Sequence, residues 1–296
     1  MPAAELSFST PATVRDAVSE LSESDDVLAM SGGTSVALLL KHGLAQPRKI
    51  VWLARIPGLR HLEAGQDGGL SIGAMTTLRE LAVSSAVRGA APALAAAAGM
   101  VGNPRVRSVA TLGGALAHAD PRQDVPPVLL ALEATVRITG PSGEREVPVA
   151  DFYTGFMETV LAPGEIVTGV VLPPAAGRRE RYARFSPGSE DDYPTVSAAA
   201  SIIRTADGRV ARAVLALGGA GPTPLLIPEA ERLSGAPDTR DVEAVAAAAE
   251  AAAEPVTDQR GSAAYKKAMA RVQAQRALQA CLDDAPGQPA GGPASA

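Results

Sequence analysis

Apolar residues recur along the chain at helical and at alternating intervals by turns, which predicts mixed helices and strands. Thr13-Val14-Arg15-Asp16 has capping-box spacing, and Val14, Ala17, Val18 and Leu21 continue it, so the chain opens with an amphipathic helix. Val27–Met30 predicts a strand, Ser31-Gly32-Gly33-Thr34-Ser35 a turn, and Val36–Leu40 a short buried helix closed by Gly43. Lys49–Leu53 is a second strand. Gly65-Gln66-Asp67-Gly68-Gly69 turns into a third at Leu70–Ala74, followed by another capping box at Thr77–Glu80. Ala90–Ala98 predicts a buried helix. Residues 102–132 read as loop although dense in apolar groups, as if backbone were shaped around something.

Further strands are predicted at Ala134–Thr139 and Ile166–Leu172. Residues 173–181, PPAAGRRER, form the best linker. Beyond it, Ser197–Arg204 and Val210–Leu217 predict a hairpin around Asp207-Gly208, and Arg240–Ala253 and Ser262–Leu282 predict helices. The second helix gathers Tyr265, Ala268, Met269 and Val272 on one face, with Lys266, Lys267 and Arg271 around it. This gives a first domain over 1–175, a smaller one over 180–283, and a tail, 284–296, too poor in apolar groups to order itself. No internal repeat is present.

Composition narrows the chemistry. A length of 296 residues supports two cores. The formal charge of −5, from 27 basic and 32 acidic residues, lacks the surplus that nucleic acid binding needs. The single cysteine, Cys281, cannot build a disulfide framework, a cysteine-rich zinc site or an iron–sulfur cluster, so any such centre belongs to another chain. The first residues do not form an export signal, and no run reaches the roughly 20 apolar residues of a membrane span. A soluble cytoplasmic protein is expected.

Two glycine turns carry the candidate site. A strand, a turn and a helix N-terminus at Ser31–Ser35 present unpaired N–H groups that suit a phosphate, with glycines for close approach and hydroxyls as donors. Neither the Rossmann nor the P-loop spacing is matched, so on this piece alone an ordinary βα turn is the preferred reading. Thr111-Leu112-Gly113-Gly114, behind Arg105 and Arg107, repeats the pattern. Together with Asp124, a carboxylate able to accept from ribose or ribityl hydroxyls, the pair points toward a nucleotide ligand.

Gly69-Leu70-Ser71-Ile72-Gly73 matches the nucleophile elbow, but its serine falls within a strand rather than at a strand-to-helix turn. Its only downstream histidine is His118, and the only acid between them is Glu80. His118, Asp120 and Asp124 more readily cap turns or contact ligand hydroxyls than hold a metal. His42 reads as a helix C-terminal residue and His61 as a surface residue. Tyr193, in a chain with few aromatics, is a candidate ring to stack on a planar cofactor.

These strings, GGTS at 32–35, RSVATLGG at 107–114, ALAHADPRQD at 115–124 and EIVTGVVLP at 165–173, resemble the FAD-binding medium subunit of the molybdenum hydroxylases. That family includes carbon monoxide dehydrogenase, aldehyde oxidase, bacterial aldehyde and N-heterocycle dehydrogenases, and the flavin domain of xanthine dehydrogenase. The resemblance continues through EDDYPTVSAAASI, LALGGAGPTPLLIPEAERLSG and PVTDQRGSAAYKKAMARVQAQRAL, covering nearly the whole chain in order.

It implies an α+β fold: an FAD domain of two α+β subdomains of the vanillyl-alcohol-oxidase (PCMH) type, then a smaller α+β domain. By the resemblance, Ala29, Met30, Ser31, Gly32, Gly33, Thr34, Ser35 and Val36 would wrap the FAD pyrophosphate. Thr111, Gly113, Gly114 and Ala115 would form the second turn. Val101 would sit against the cofactor, Asp124 would bind its hydroxyls, Val167 would pack on it, Arg184 would approach the isoalloxazine, and Tyr193 would lie against the flavin ring. Arg184 stands where the xanthine dehydrogenase branch carries lysine, and Gly188 and Ser189 where that branch tends to be basic. Gly33 and Tyr193 look closer to the carbon monoxide dehydrogenase branch.

The implied function is electron transfer within a heterotrimer, assembled as a dimer of heterotrimers. A large partner would hold the molybdenum cofactor and a small partner two [2Fe–2S] clusters, with no catalytic residue and no metal ligand on this chain. A stand-alone flavin oxidoreductase and a cofactor-free scaffold of the same fold are the alternatives. The substrate contacts would lie on the large chain.

Overall fold

The structure is a computed structural model that describes residues 6–174 and 176–283. Ala175, in the predicted linker, and the predicted disordered tail 284–296 lie outside the described residues. The chain opens with β1 (Ser7–Ser9), α1 (Val14–Leu21), β2 (Val27–Met30), α2 (Thr34–Lys41) and β3 (Lys49–Trp52). The strands form a parallel sheet in the order β1-β3-β2. Thr13 caps α1 by accepting from the Asp16 amide at 3.1 Å, and Ala17, Val18 and Leu21 pack against Val51, Leu53 and Ile56.

The helix expected to be buried at Val36–Leu40 is α2, and no residue of it is buried; Leu38 is 57% exposed. A segment apolar on every side has no polar face to mark its orientation. Its covering is decided by the sheet, where β2 is an edge strand and α2 leaves from that edge.

A second layer follows with β4 (Leu62–Ala64), β5 (Leu70–Gly73), α3 (Leu78–Val83), α4 (Ser85–Ala90), α5 (Pro92–Met100), α6 (Pro104–Arg107), α7 (Leu112–His118) and α8 (Val125–Ala131). Then come β6 (Thr135–Gly140), β7 (Gly143–Pro148), α9 (Val149–Phe152), β8 (Tyr153–Gly155), β9 (Glu158–Thr159) and β10 (Ile166–Leu172). The five-stranded antiparallel sheet has the order β4-β5-β10-β6-β7, with Gly169 of β10 opposite both Gly73 and Arg137. Thr77 and Glu80 complete the predicted capping box in both directions.

The stretch read as loop, 102–132, is instead three short helices. Each spans only one or two turns, too short for a period of 3.6 to register, and such helices are held by caps and packing. Asn103 caps α6 by accepting from the Arg105 and Val106 amides, and Thr111 caps α7 by accepting from Gly114. α8 is buried at every position from Val125 to Ala131.

The last layer is β11 (Arg178–Phe185), β12 (Val196–Arg204), β13 (Val210–Gly218), β14 (Leu225–Leu226), α10 (Thr239–Ala252) and α11 (Ala263–Asp283). Its sheet runs β11-β12-β13-β14, all antiparallel. β11 begins at Arg178, so the RRER expected in the linker is strand. Four charged residues in a row concealed it; Glu180 is buried and pairs into the layer below.

β12 is covered on both faces. Val196, Ala198, Ala200 and Ile202 join the cluster with α10 and α11, while Ala199 joins the core of the preceding layer, and Ser201 donates to Ala131 O at 2.7 Å. α11 buries Ala270, Ala274, Ala277, Leu278 and Cys281, with Lys266 and Gln273, and not the predicted face. Tyr265 and Ala268 are exposed, because the small alanines let α11 approach α10 and β12 closely.

Candidate functional site

The two glycine turns meet. Thr111 Oγ1 donates to Ser31 Oγ at 3.0 Å, and Trp52 Nε1 donates to Ser31 O at 2.9 Å, so the turn after β2 is tied both to β3 and to the N-terminus of α7. Gly32 and Gly114 are required by that meeting. A Cβ on Gly32 would stand 1.8 Å from Val109 O, and one on Gly114 would stand 2.4 Å from Ser31 Oγ. Their lack of a side chain therefore serves the approach of one turn to the other, rather than only the approach to an anion that the sequence suggests. Gly33 holds φ +75° as the N-cap of α2 and supplies no side-chain cap. The first amides of α2, with the hydroxyls of Thr34 and Ser35, are thus left without a capping side chain. Ala29 to Val36 are all half-buried.

A second cluster forms where the last sheet packs on the helices. Asp124, 2% exposed, accepts from Tyr182 Oη at 2.7 Å and pairs with Arg184 Nη1 at 3.1 Å. Burial pushes the Asp124 carboxyl up to about 6, against the opposing pull of Arg184 and Tyr182, and burial pushes the Tyr182 phenol far above its ordinary value. Arg184 also donates to Met100 O, beside Val101, and to Asp192 O, beside Tyr193. Thr195 Oγ1 and Gln123 Oε1 are buried here with no hydrogen-bond partner. Tyr193 is 38% exposed, and the Arg122 guanidinium lies 5.4 Å from its ring centroid.

Val167 joins neither cluster by a hydrogen bond. It is buried in β10, the strand on which α7 packs. Burial lowers the pKa of His118, the last residue of α7, below its ordinary value, against the opposing pull of Asp120. Among the described residues, no grouping of three or more His, Cys, Asp or Glu could hold a metal, and no helix is long and apolar enough to cross a membrane.

His61, expected at the surface, is half-buried: its Nε2 lies 3.2 Å from Ser71 Oγ and its Nδ1 2.8 Å from Gly58 O. The pair sits at the β4–β5 pairing, with Arg137 Nη1 donating to the same hydroxyl. Ser71 is within β5, as expected, so the elbow geometry is lacking. A surface cavity of about 540 Å³, bordered by Arg204, Arg209 and Asp238, touches none of the predicted cofactor residues.

Arg260, whose Nη2 lies 2.6 Å from Asp192 Oδ1, belongs to the second cluster with Tyr182 and Arg122, and the sequence marked none of the three. One signal was available, since Glu180, Tyr182 and Arg184 alternate with period 2 along β11.

Residues 4–175 match the family described as the FAD binding domain in molybdopterin dehydrogenase. Residues 181–281 match the CO dehydrogenase flavoprotein C-terminal domain. The chain belongs to this flavoprotein family. Its cofactor is FAD, and it is an oxidoreductase subunit of the molybdenum hydroxylase kind.

Within the flavoprotein family, the carbon monoxide dehydrogenase medium chain of Hydrogenophaga pseudoflava is 34% identical over 277 residues, covering 92% of this chain and 96% of its own. The nicotine 6-hydroxylase medium subunit of Paenarthrobacter nicotinovorans is 32% identical over 278 residues, covering 92% of this chain and 96% of its own. The solved structure of the Hydrogenophaga carbon monoxide dehydrogenase lacking the Mo-pyranopterin moiety matches with a TM-score of 0.90 at 34% identity, over 95% of this chain and 98% of that one. Relatives named for carbon monoxide and for nicotine share one flavoprotein architecture with this chain.

Proposed function

We propose that this chain is the electron-transfer flavoprotein of a heterotrimeric molybdenum hydroxylase. In this reading a large partner carries the molybdenum cofactor, a small partner carries [2Fe–2S] clusters, and two such trimers associate. FAD bound here would supply a ring that accepts electrons from the clusters and passes them to an external acceptor. The observation that carries the reading is the interlock of the two glycine turns through Ser31 and Thr111, at the mouth of a helix whose N-terminus no side chain caps. It fits the pyrophosphate of a dinucleotide.

The chain's own residues bind and orient. The α2 amides, Thr34 and Ser35 would hold the pyrophosphate on one side, and Thr111 to Ala115 would shape the other. Asp124, kept in place by Tyr182 and Arg184, would accept from the cofactor's hydroxyls, and Thr195 and Gln123 offer unpartnered polar atoms at the same seam. Val101 and Val167 would line the apolar side, with Arg184 and Tyr193 toward the ring. No nucleophile or general base is required of this chain.

Flavin content tests the assignment. The full chain should purify yellow, with FAD near one per chain. Gly114→Val, which drives a side chain into Ser31 Oγ, should weaken FAD affinity at least about tenfold, equivalent to ~1.4 kcal/mol, and so lower the flavin content, while far-ultraviolet circular dichroism stays unchanged. Full flavin in a folded Gly114→Val protein overturns the site. Turnover of a reductant by the purified single chain would identify a stand-alone enzyme instead.

A further inference from the structure

β11 and β12 pair as far as Phe185 and Val196, and the Thr195 amide donates to Phe185 O at 2.8 Å, leaving residues 186–194, SPGSEDDYP, as an excursion without regular structure. A polar loop of this kind is normally the mobile part of a sheet. Arg184 of β11 holds its backbone by donating to Ser186 Oγ and Asp192 O, and two further groups, from different layers of the molecule, hold it from either side.

From the helical layer, Arg122 lies over the Tyr193 ring and is fixed by a bidentate pair with Asp120, Nε–Oδ1 and Nη2–Oδ2 both at 3.2 Å. Asp120 is itself buried. From the segment before α11, Arg260 Nη2 reaches Asp192 Oδ1 at 2.6 Å, and the same carboxylate oxygen accepts from the Tyr193 amide at 2.8 Å. Arg260 is anchored in turn. Its amide donates to Asp258 Oδ1 at 2.8 Å, and Asp258 pairs with the buried Lys266 of α11 at 2.7 Å. Hydrogen bonding from Arg260 holds the Asp192 carboxyl below its ordinary value.

We propose that Arg122 and Arg260 are positioning residues that clamp the Asp192–Tyr193 segment, so that the orientation of the Tyr193 ring is set by the domain seam and not by the loop. The clamp itself rests on the geometry above. Its consequence for the cofactor rests on the reading of Tyr193 as the ring against the flavin. Arg122 orders the ring directly, and Arg260 orders the backbone that carries it through Asp192. Neither need touch the cofactor.

Two measurements on the full chain test this. Amide hydrogen exchange over 186–194 should quicken about three- to tenfold in Arg122→Ala and Arg260→Ala, the size expected of one or two partly exposed ionic contacts, and Arg260→Lys should restore much of the protection. Emission of bound FAD, which a stacked tyrosine quenches, should rise in both variants toward the level of Tyr193→Ala. Unchanged exchange in both arginine variants overturns the clamp. Faster exchange with wild-type emission, in a protein whose Tyr193→Ala variant also emits as wild type, leaves the clamp standing and overturns the placement of Tyr193 at the flavin. If Tyr193→Ala alone raises emission while the arginine variants do not, the proposal that these arginines position the ring is overturned.

Discussion

Tyr182 and Arg184 both address one carboxylate, Asp124, in a place where burial alone would favour its protonated form. The folded state raises this carboxyl from 3.8 to about 6, so its contribution to stability is full below pH 3.8 and is lost as pH rises through 6. Removing the phenol in Tyr182→Phe deprives the carboxylate of a donor in a buried setting. It should cost about 1–3 kcal/mol in urea unfolding at pH 7, and the loss of stability with rising pH should extend further upward. A variant as stable as wild type at pH 7 would show that the 2.7 Å bond contributes nothing net.

Helix α5 begins at Pro92, which has no amide to offer, behind Ala91, which has no side-chain cap. Its cap comes from another layer: Glu180 of β11 accepts from the Ala93 amide at 3.0 Å. Burial pushes the Glu180 carboxyl up to about 7. Because the folded state prefers the protonated form, the contribution is complete below pH 4.5 and disappears as pH climbs through about 7. Glu180→Gln keeps an acceptor and removes the charge. Unfolding followed from pH 5 to pH 8 should therefore lose this component of its slope, and the variant should at least equal wild type at pH 8. Retention of the wild-type slope would mean that another group titrates there.

β12 and β13 contribute to two buried cores at once. Ala199 and Ala216 belong to the same buried cluster as Leu94, Val128 and Leu129 of α5 and α8. Their neighbours Ala198, Ala200 and Leu215 belong to the cluster under α10 and α11. Calorimetry of the intact chain should accordingly show one transition. A chain ending at residue 174 would leave apolar faces of α5 and α8 bare, and it should bind a hydrophobic dye strongly and lose near-ultraviolet dichroism. Two well-separated transitions, or a native-like fragment, would contradict this coupling. By contrast, the Arg212–Glu133 pair between the same layers is largely exposed, and Arg212→Ala should change stability by no more than about 1 kcal/mol in urea unfolding.

Local signals in the sequence were sufficient for the elements that carry their own caps and periods. The Thr13 and Thr77 caps, the β2 strand, the Asp207-Gly208 hairpin and α10 lie where their residues predict. The order of motifs was sufficient for the flavoprotein family, whose two domains match residues 4–175 and 181–281. The exposure of α2 and the helices inside 102–132 were not legible, since an all-apolar run has no orientation and a helix of one or two turns has no period. Nor did the sequence show why Gly32 and Gly114 must be glycine, that Glu180 caps a distant helix, or that Arg122 and Arg260 meet at one short segment. Those depend on contacts between residues far apart in the chain, which only the packing of three layers brings within hydrogen-bond reach.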